Sequence, residues 1–156
     1  MSLARDIRRA SFQAIFELDA RGEADADIVR AGLLDSGELQ PADSDKAFDL
    51  ALAAFRDRAK ADAVMVALAP GWPAHRQAAV DRAILRLAHY EMTSGRTPPK
   101  VAVNEAVELA KEFSTDKSPS FVNALLDKVL KQVQGSGASP DASDALSPIT
   151  PDESLS

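Results

Sequence analysis

The sequence predicts an all-α fold: a single compact helical domain of about seven helices, residues 1–133, followed by an acidic tail, residues 134–156. Three observations carry this. Apolar residues recur at helical spacing through the domain, and no convincing segment alternates with the period of two that a half-buried strand needs. Aromatic residues make up only 5% of a chain rich in alanine, which favours packed helices over sheets. At 156 residues the chain is long enough to bury one adequate core.

Helices are expected at about residues 4–20, 25–34, 43–57, 59–69, 75–93, 101–113 and 119–133, with ends good to ~2–4 residues. Gly22 closes the first. The SGELQPADSD loop with Pro41 precedes the third, and the third and fourth are also readable as one long kinked helix. PGWP at 70–73 breaks the chain before the fifth, with Trp72 expected to pack over a helix end. Gly95, Pro98 and Pro99 separate the fifth from the sixth. In the sixth, Ala102, Ala106, Leu109 and Phe113 recur beside Val103, Val107 and Ala110. The seventh opens on Ser118 and Pro119, which read as an N-cap serine with proline at the first helical position. Val122, Leu125, Val129 and Val133 then continue its apolar stripe.

Composition narrows the function. Charges run throughout residues 1–20, so a signal peptide is not expected. No apolar run approaches the ~20 residues of a membrane span, so a soluble, cytoplasmic protein is expected, with no membrane partner. The absence of cysteine excludes disulfides and thiolate chemistry. His75 and His89 do not make a metal-ligand spacing, and no glycine-rich phosphate loop is present, so no cofactor or metal is expected. The net charge of −6 is unevenly spread: Asp141, Asp144, Asp152 and Glu153 lie in the tail, which has no Lys or Arg, leaving −2 on the domain. The tail's Gly, Ser, Pro and acidic residues lack any apolar period and predict disorder.

The first helix carries the chemistry readable from residues alone. At 100° per residue, Ile7, Ser11, Ala14, Ile15 and Leu18 share one face, whereas Arg5, Arg8, Arg9, Phe12 and Phe16 cluster on another. Guanidinium groups neutralise phosphate, and a neighbouring phenyl ring offers an unpaired base a stacking platform, so this stripe suits single-stranded RNA. The plainer alternative is that Phe12 and Phe16 widen the buried face and the arginines form a solvated first turn. A second candidate contact is the loop at 114–120. Its Lys117, Ser118 and the first-turn N–H groups of the last helix suit a phosphate. Phe121 is readable as a stacking ring or as a staple of the helix start. On the fifth helix, Asp81, Arg82, Arg86 and Tyr90 surround an apolar stripe.

The windows PKVAVNEAVELAKEFSTDKSPSFVNALLDKVL (99–130) and DRAILRLAHYE (81–91), with ARDIRRASFQAIF near the start, resemble the NusB family of bacterial transcription antitermination factors. The resemblance covers about four fifths of the chain, with the middle matching mainly in pattern. It implies a NusB-like helical bundle that binds boxA, a short single-stranded RNA element, together with the ribosomal protein NusE. The two load onto the RNA polymerase elongation complex through other Nus factors. By that resemblance the arginine-rich start holds RNA, the loop before the last helix lies close to it, and the region of Asp81, Arg82, Arg86 and Tyr90 contributes to NusE docking. A fold role for any one of these four remains open beside this. Asp6 stands at one of the family's arginine positions, Arg9 is an added cation, and Phe16 replaces the usual tyrosine. Asn104, Glu105 and Asn123 match the family and are expected to be structural, with Asn123 bonded to a neighbouring loop. Ala124 replaces a glycine and is expected to widen a helix crossing.

The function this implies is non-catalytic: antitermination that keeps transcription processive, chiefly on ribosomal RNA operons. The alternative is a protein-interaction or homodimeric helical scaffold without RNA binding. NusB-like domains also precede some ribosomal RNA cytosine methyltransferases. The cysteine that chemistry requires is absent from this sequence, and a stand-alone binding protein without a cofactor-binding domain is expected.

Overall fold

The computed structural model describes residues 2–135, among which every regular element is helical. The helices are α1 (Leu3–Arg21), α2 (Ala26–Asp35), α3 (Pro41–Arg56), α4 (Arg58–Leu68), α5 (Ala79–Thr93), α6 (Pro99–Phe113) and α7 (Ser118–Gly135). Single 3-10 turns occupy Glu23–Asp25 and Ala74–Arg76. No helix among the described residues is long and apolar enough to cross a membrane. The expectation of a disordered tail falls, from residue 136 onward, outside the described residues.

Local chemistry sets most boundaries. Ser2 caps α1 by accepting a hydrogen bond from the Arg5 N–H at 3.1 Å. Gly22 ends it at φ 93°, a conformation that disfavours a side chain. Pro41 and Pro99, read from sequence as loop breakers, instead occupy the first turns of α3 and α6, where a missing N–H costs nothing. The expected start of the fifth helix at residue 75 is corrected to Ala79, because Gln77 and Ala78 are extended between the 3-10 turn and α5. Asp57 alone separates α3 from α4.

α5 is the centre of the fold, in contact with α1, α3, α4, α6 and α7. Ile84, Leu85 and Leu87 are fully buried there, each contributing roughly 1.5–3 kcal/mol of apolar burial. On one side α1 packs on α3 through small residues: Ala10 and Ala14 are buried on α1, and Ala47, Ala51 and Ala54 on α3. Their size lets Ser11 Oγ reach across and donate to the Ala47 carbonyl at 2.9 Å. On the other side α6 and α7 pair and cover α5 through Ala106, Ala110, Val122, Leu125 and Leu126. Trp72 meets Phe121 edge-on, 6.3 Å between centroids, and so covers the start of α7. Ala124 is exposed, so its methyl widens no helix crossing. Asn104 and Asn123 are exposed as well, whereas Glu105 is tied down.

Candidate nucleic-acid interface

α1 and α6 both pack against α5, and the groove between their outer faces encloses about 230 Å3. Arg5, Arg8, Arg9 and Lys111 line it together with Glu105, Glu108 and Glu112. The arginine cluster read from α1 is therefore one wall, and the other wall is acidic. Glu105, Glu108 and Glu112 stand at i, i+3 and i+7 on α6, a spacing that puts them on one face.

Each arginine meets a carboxylate. Arg5 donates from Nε and Nη2 to both oxygens of Glu105, at 3.1 and 2.9 Å, in the two-pronged geometry that guanidinium and carboxylate favour. Its side chain stays 46% exposed. The hydrogen bond and charge of Glu105 raise the Arg5 pKa, and Glu108 and Glu112 add to this. Arg9 donates to Glu112 at 3.1 Å and lies 3.7 Å from Asp6. Asp6, which stands at a basic position of the resembled pattern, thus adds a further anion beside Arg9.

Arg8 differs from its neighbours. Its side chain is only 12% exposed and grips Glu91 of α5 with Nε at 3.0 Å and Nη2 at 2.9 Å. Glu91 is itself buried and also accepts from the Thr97 hydroxyl. A buried carboxylate this fully satisfied holds the arginine in place, since breaking the pair strands a charge in the interior. Arg8 anchors α1 to α5 and does not project as a free phosphate contact.

The aromatic part of the stripe divides too. Phe12 is buried and packs on Phe113 of α6 with centroids 5.0 Å apart, which corrects its reading as an open stacking ring. Phe16 is 38% exposed. It lies in an apolar groove of about 500 Å3 with Phe12, Gln13, Glu17, Val80 and Phe113.

The loop before α7 is likewise more internal than the sequence implied. The Ser114 and Ser118 hydroxyls donate to the two oxygens of Asp81 at 2.7 and 3.0 Å. Ser118 is buried, so it is neither a phosphate ligand nor the N-cap read from the Ser-Pro pair; its hydroxyl locks α7 to α5 instead. Phe121 is also buried, against Trp72, and acts as the staple. Lys117 remains exposed beside a pocket of about 150 Å3 that includes Trp72, Thr115 and Phe121.

The fifth-helix residues read as a docking set are mostly internal. Arg86 is buried and donates to both oxygens of Asp62, at 3.0 and 2.7 Å, and to Asp19 at 3.2 Å. Burial opposes its charge, but the hydrogen bonds and charges of Asp62 and Asp19 outweigh that and raise its pKa. Arg82 holds Asp19 at 2.6 Å and the Ala74 carbonyl at 2.8 Å. Asp81 and Arg86 are thus fold fixtures; Arg82 and Tyr90 are half-buried, with Arg96 over the Tyr90 ring. The residues that sequence reasoning missed are the acidic partners Glu91, Glu108 and Glu112. The α6 stripe was visible as a spacing, but its target lies about 100 residues away.

The class of protein these elements define is an all-helical bundle built around α5, with a groove of arginines and glutamates between α1 and α6. The NusB family model matches residues 5–131, and the chain belongs to the NusB family of transcription antitermination proteins. The transcription antitermination protein NusB of Rubrobacter xylanophilus is 40% identical over 134 residues, covering 83% of this chain and 94% of that protein. A crystal form of T. maritima NusB superposes with a TM-score of 0.73 at 28% identity, covering 85% of this chain and 92% of that one. The fold also matches a chain from the crystal structure of the antitermination factors NusB and NusE in complex with dsRNA. That match has a TM-score of 0.72 at 22% identity over 84% of this chain and 98% of that one. The relatives from Rubrobacter xylanophilus and Kineococcus radiotolerans are both named as transcription antitermination proteins.

Proposed function

We propose that this chain binds single-stranded, boxA-like RNA along the α1–α6 groove together with NusE. In that complex it promotes processive transcription of ribosomal RNA operons, joined to RNA polymerase through other Nus factors. The observation that carries this reading is the row of Arg5 and Arg9 guanidinium groups at the groove, with the exposed Phe16 ring on the same helix. Arginines supply phosphate affinity and a phenyl ring tolerant stacking for an unpaired base. Lys117, exposed in the loop before α7, adds a third cation. Arg82 and Tyr90 are the parts of the α5 region left accessible to NusE. Membership in the antitermination family and the NusB–NusE–RNA assembly formed by a protein of the same fold support it.

The test is fluorescence anisotropy of labelled single-stranded boxA-like RNA, with and without NusE, over a salt series, with a duplex RNA as comparison. Three phosphate contacts give a log–log salt slope near about −2, at roughly −0.7 per phosphate on a single strand. Binding tightened by NusE and lost in an Arg5→Ala/Arg9→Ala variant is the expected result. Equal binding to the duplex overturns the single-strand reading. No RNA binding in any combination leaves a protein-only scaffold, with sedimentation to reveal a homodimer.

A further inference from the structure

We propose that the acidic ridge of α6 is an intramolecular competitor for RNA: Glu105 and Glu112 occupy Arg5 and Arg9 in the free protein, and RNA binds by displacing carboxylate with phosphate. The inference rests on the reading of the groove as the RNA site and adds its regulation.

The geometry supports an exchange at these two positions and not at Arg8. The Arg5–Glu105 and Arg9–Glu112 pairs each keep one partner nearly half exposed to water, with Glu112 the more open carboxylate and Glu105 also 3.9 Å from Arg8. Exposed ion pairs hold their partners weakly, so separating them costs little. The Arg8–Glu91 pair is sequestered and stays closed. Arg8 therefore fixes the wall while Arg5 and Arg9 change partner. The groove's seven lining charges leave an excess of one cation, so it has little pull on an isolated anion. A chain of adjacent phosphates, able to meet both arginines at once, gains on the second contact what it loses in displacing the first carboxylate. The ridge thus selects a contiguous polyphosphate backbone over single phosphates.

Glu105→Gln/Glu112→Gln in the full chain tests this by anisotropy with the same single-stranded RNA. Removing both competitors is expected to tighten binding about five- to tenfold at low salt, from two modest pairs. It is also expected to steepen the salt slope, because no displaced carboxylate then takes up a cation as RNA binds. Glu108→Gln removes the same charge from the same ridge, but Glu108 is paired with Lys111 at 3.4 Å rather than with an arginine. It is expected to change affinity less than twofold. Should the double variant fold poorly in a thermal melt, Glu112→Gln alone, on the more exposed carboxylate, is expected to tighten binding two- to threefold. Unchanged or weaker binding by the glutamine variants, with binding still dependent on Arg5 and Arg9, overturns the exchange and makes the glutamates positioning residues. Tightening by Glu108→Gln equal to that by Glu112→Gln overturns it in favour of bulk charge. RNA binding indifferent to Arg5→Ala/Arg9→Ala overturns the groove assignment itself, and the exchange with it.

Discussion

Two sets of arginines in this protein are ion-paired, and they do opposite things. On α5, Arg82 and Arg86 reach into Asp19 and Asp62, with no side chain of the set more than 27% exposed, and tie α1 and α4 to the central helix. On α1, Arg5 and Arg9 reach over an open groove to Glu105 and Glu112. Donor type and pair distances are similar in both sets. Solvent is the difference: a sequestered pair strands a charge when broken, whereas an open pair exchanges water or phosphate for carboxylate at little cost. Burial, not pairing, separates a fold fixture from a ligand surface.

The comparison is broken most strongly at Arg86. Arg86→Ala is expected to cost about 3–5 kcal/mol in urea unfolding, because Asp62 and Asp19 lose their shared cation in a shielded site; a loss under 1 kcal/mol contradicts the contrast. Arg8→Ala, which strands Glu91, is expected to cost about 3 kcal/mol by the same measurement, placing Arg8 with the α5 set despite its position on α1. Asp81→Ala leaves the Ser114 and Ser118 hydroxyls without their acceptor and is expected to cost about 1–3 kcal/mol. The protection of α7 amides in hydrogen exchange should fall with it.

His89 sharpens the same point through pH. Burial lowers its pKa below the ordinary 6.5, against the opposing pull of Asp57 and Asp62, and its Nδ1 is buried without a hydrogen-bond partner. The folded protein therefore holds it neutral while the unfolded chain takes up a proton. His89's contribution to stability is complete above pH 6.5 and falls as pH drops through that value, by at most about 1.4 kcal/mol per pH unit. Urea midpoints from pH 7.5 to 5 should show this slope, and His89→Gln should flatten it. Arg5→Ala marks the other end of the comparison: the unfolding midpoint stays unchanged while RNA affinity falls.

Helix content was legible because apolar spacing and punctuation agree along most of the chain. The misreadings have local causes. Pro41 and Pro99 read as breaks in the sequence because proline interrupts a helix interior, yet each sits where a helix starts. Residues 75–78 carry helix-compatible side chains, and only the turn geometry after Pro73 shows them outside α5. The candidate site was half legible. A helical wheel placed Phe12 beside the arginines correctly, but Phe113 arrives from α6 to cover it, and a wheel holds no partner helix. Ser118 likewise looked like a cap until Asp81 claimed its hydroxyl. Arg8 was indistinguishable from Arg5 in sequence because Glu91, its partner, is 83 residues away.

Those separations also set a schedule for the nascent chain. Arg5 and Arg9 emerge first, yet Glu105 and Glu112 follow 100 and 103 residues later. At about 5–20 residues per second, the first helix waits roughly 5–20 s for its acidic wall. During that interval the α1 guanidinium groups lack the α6 carboxylates that pair with them in the folded protein, and Asp6 is the acidic neighbour on their own helix.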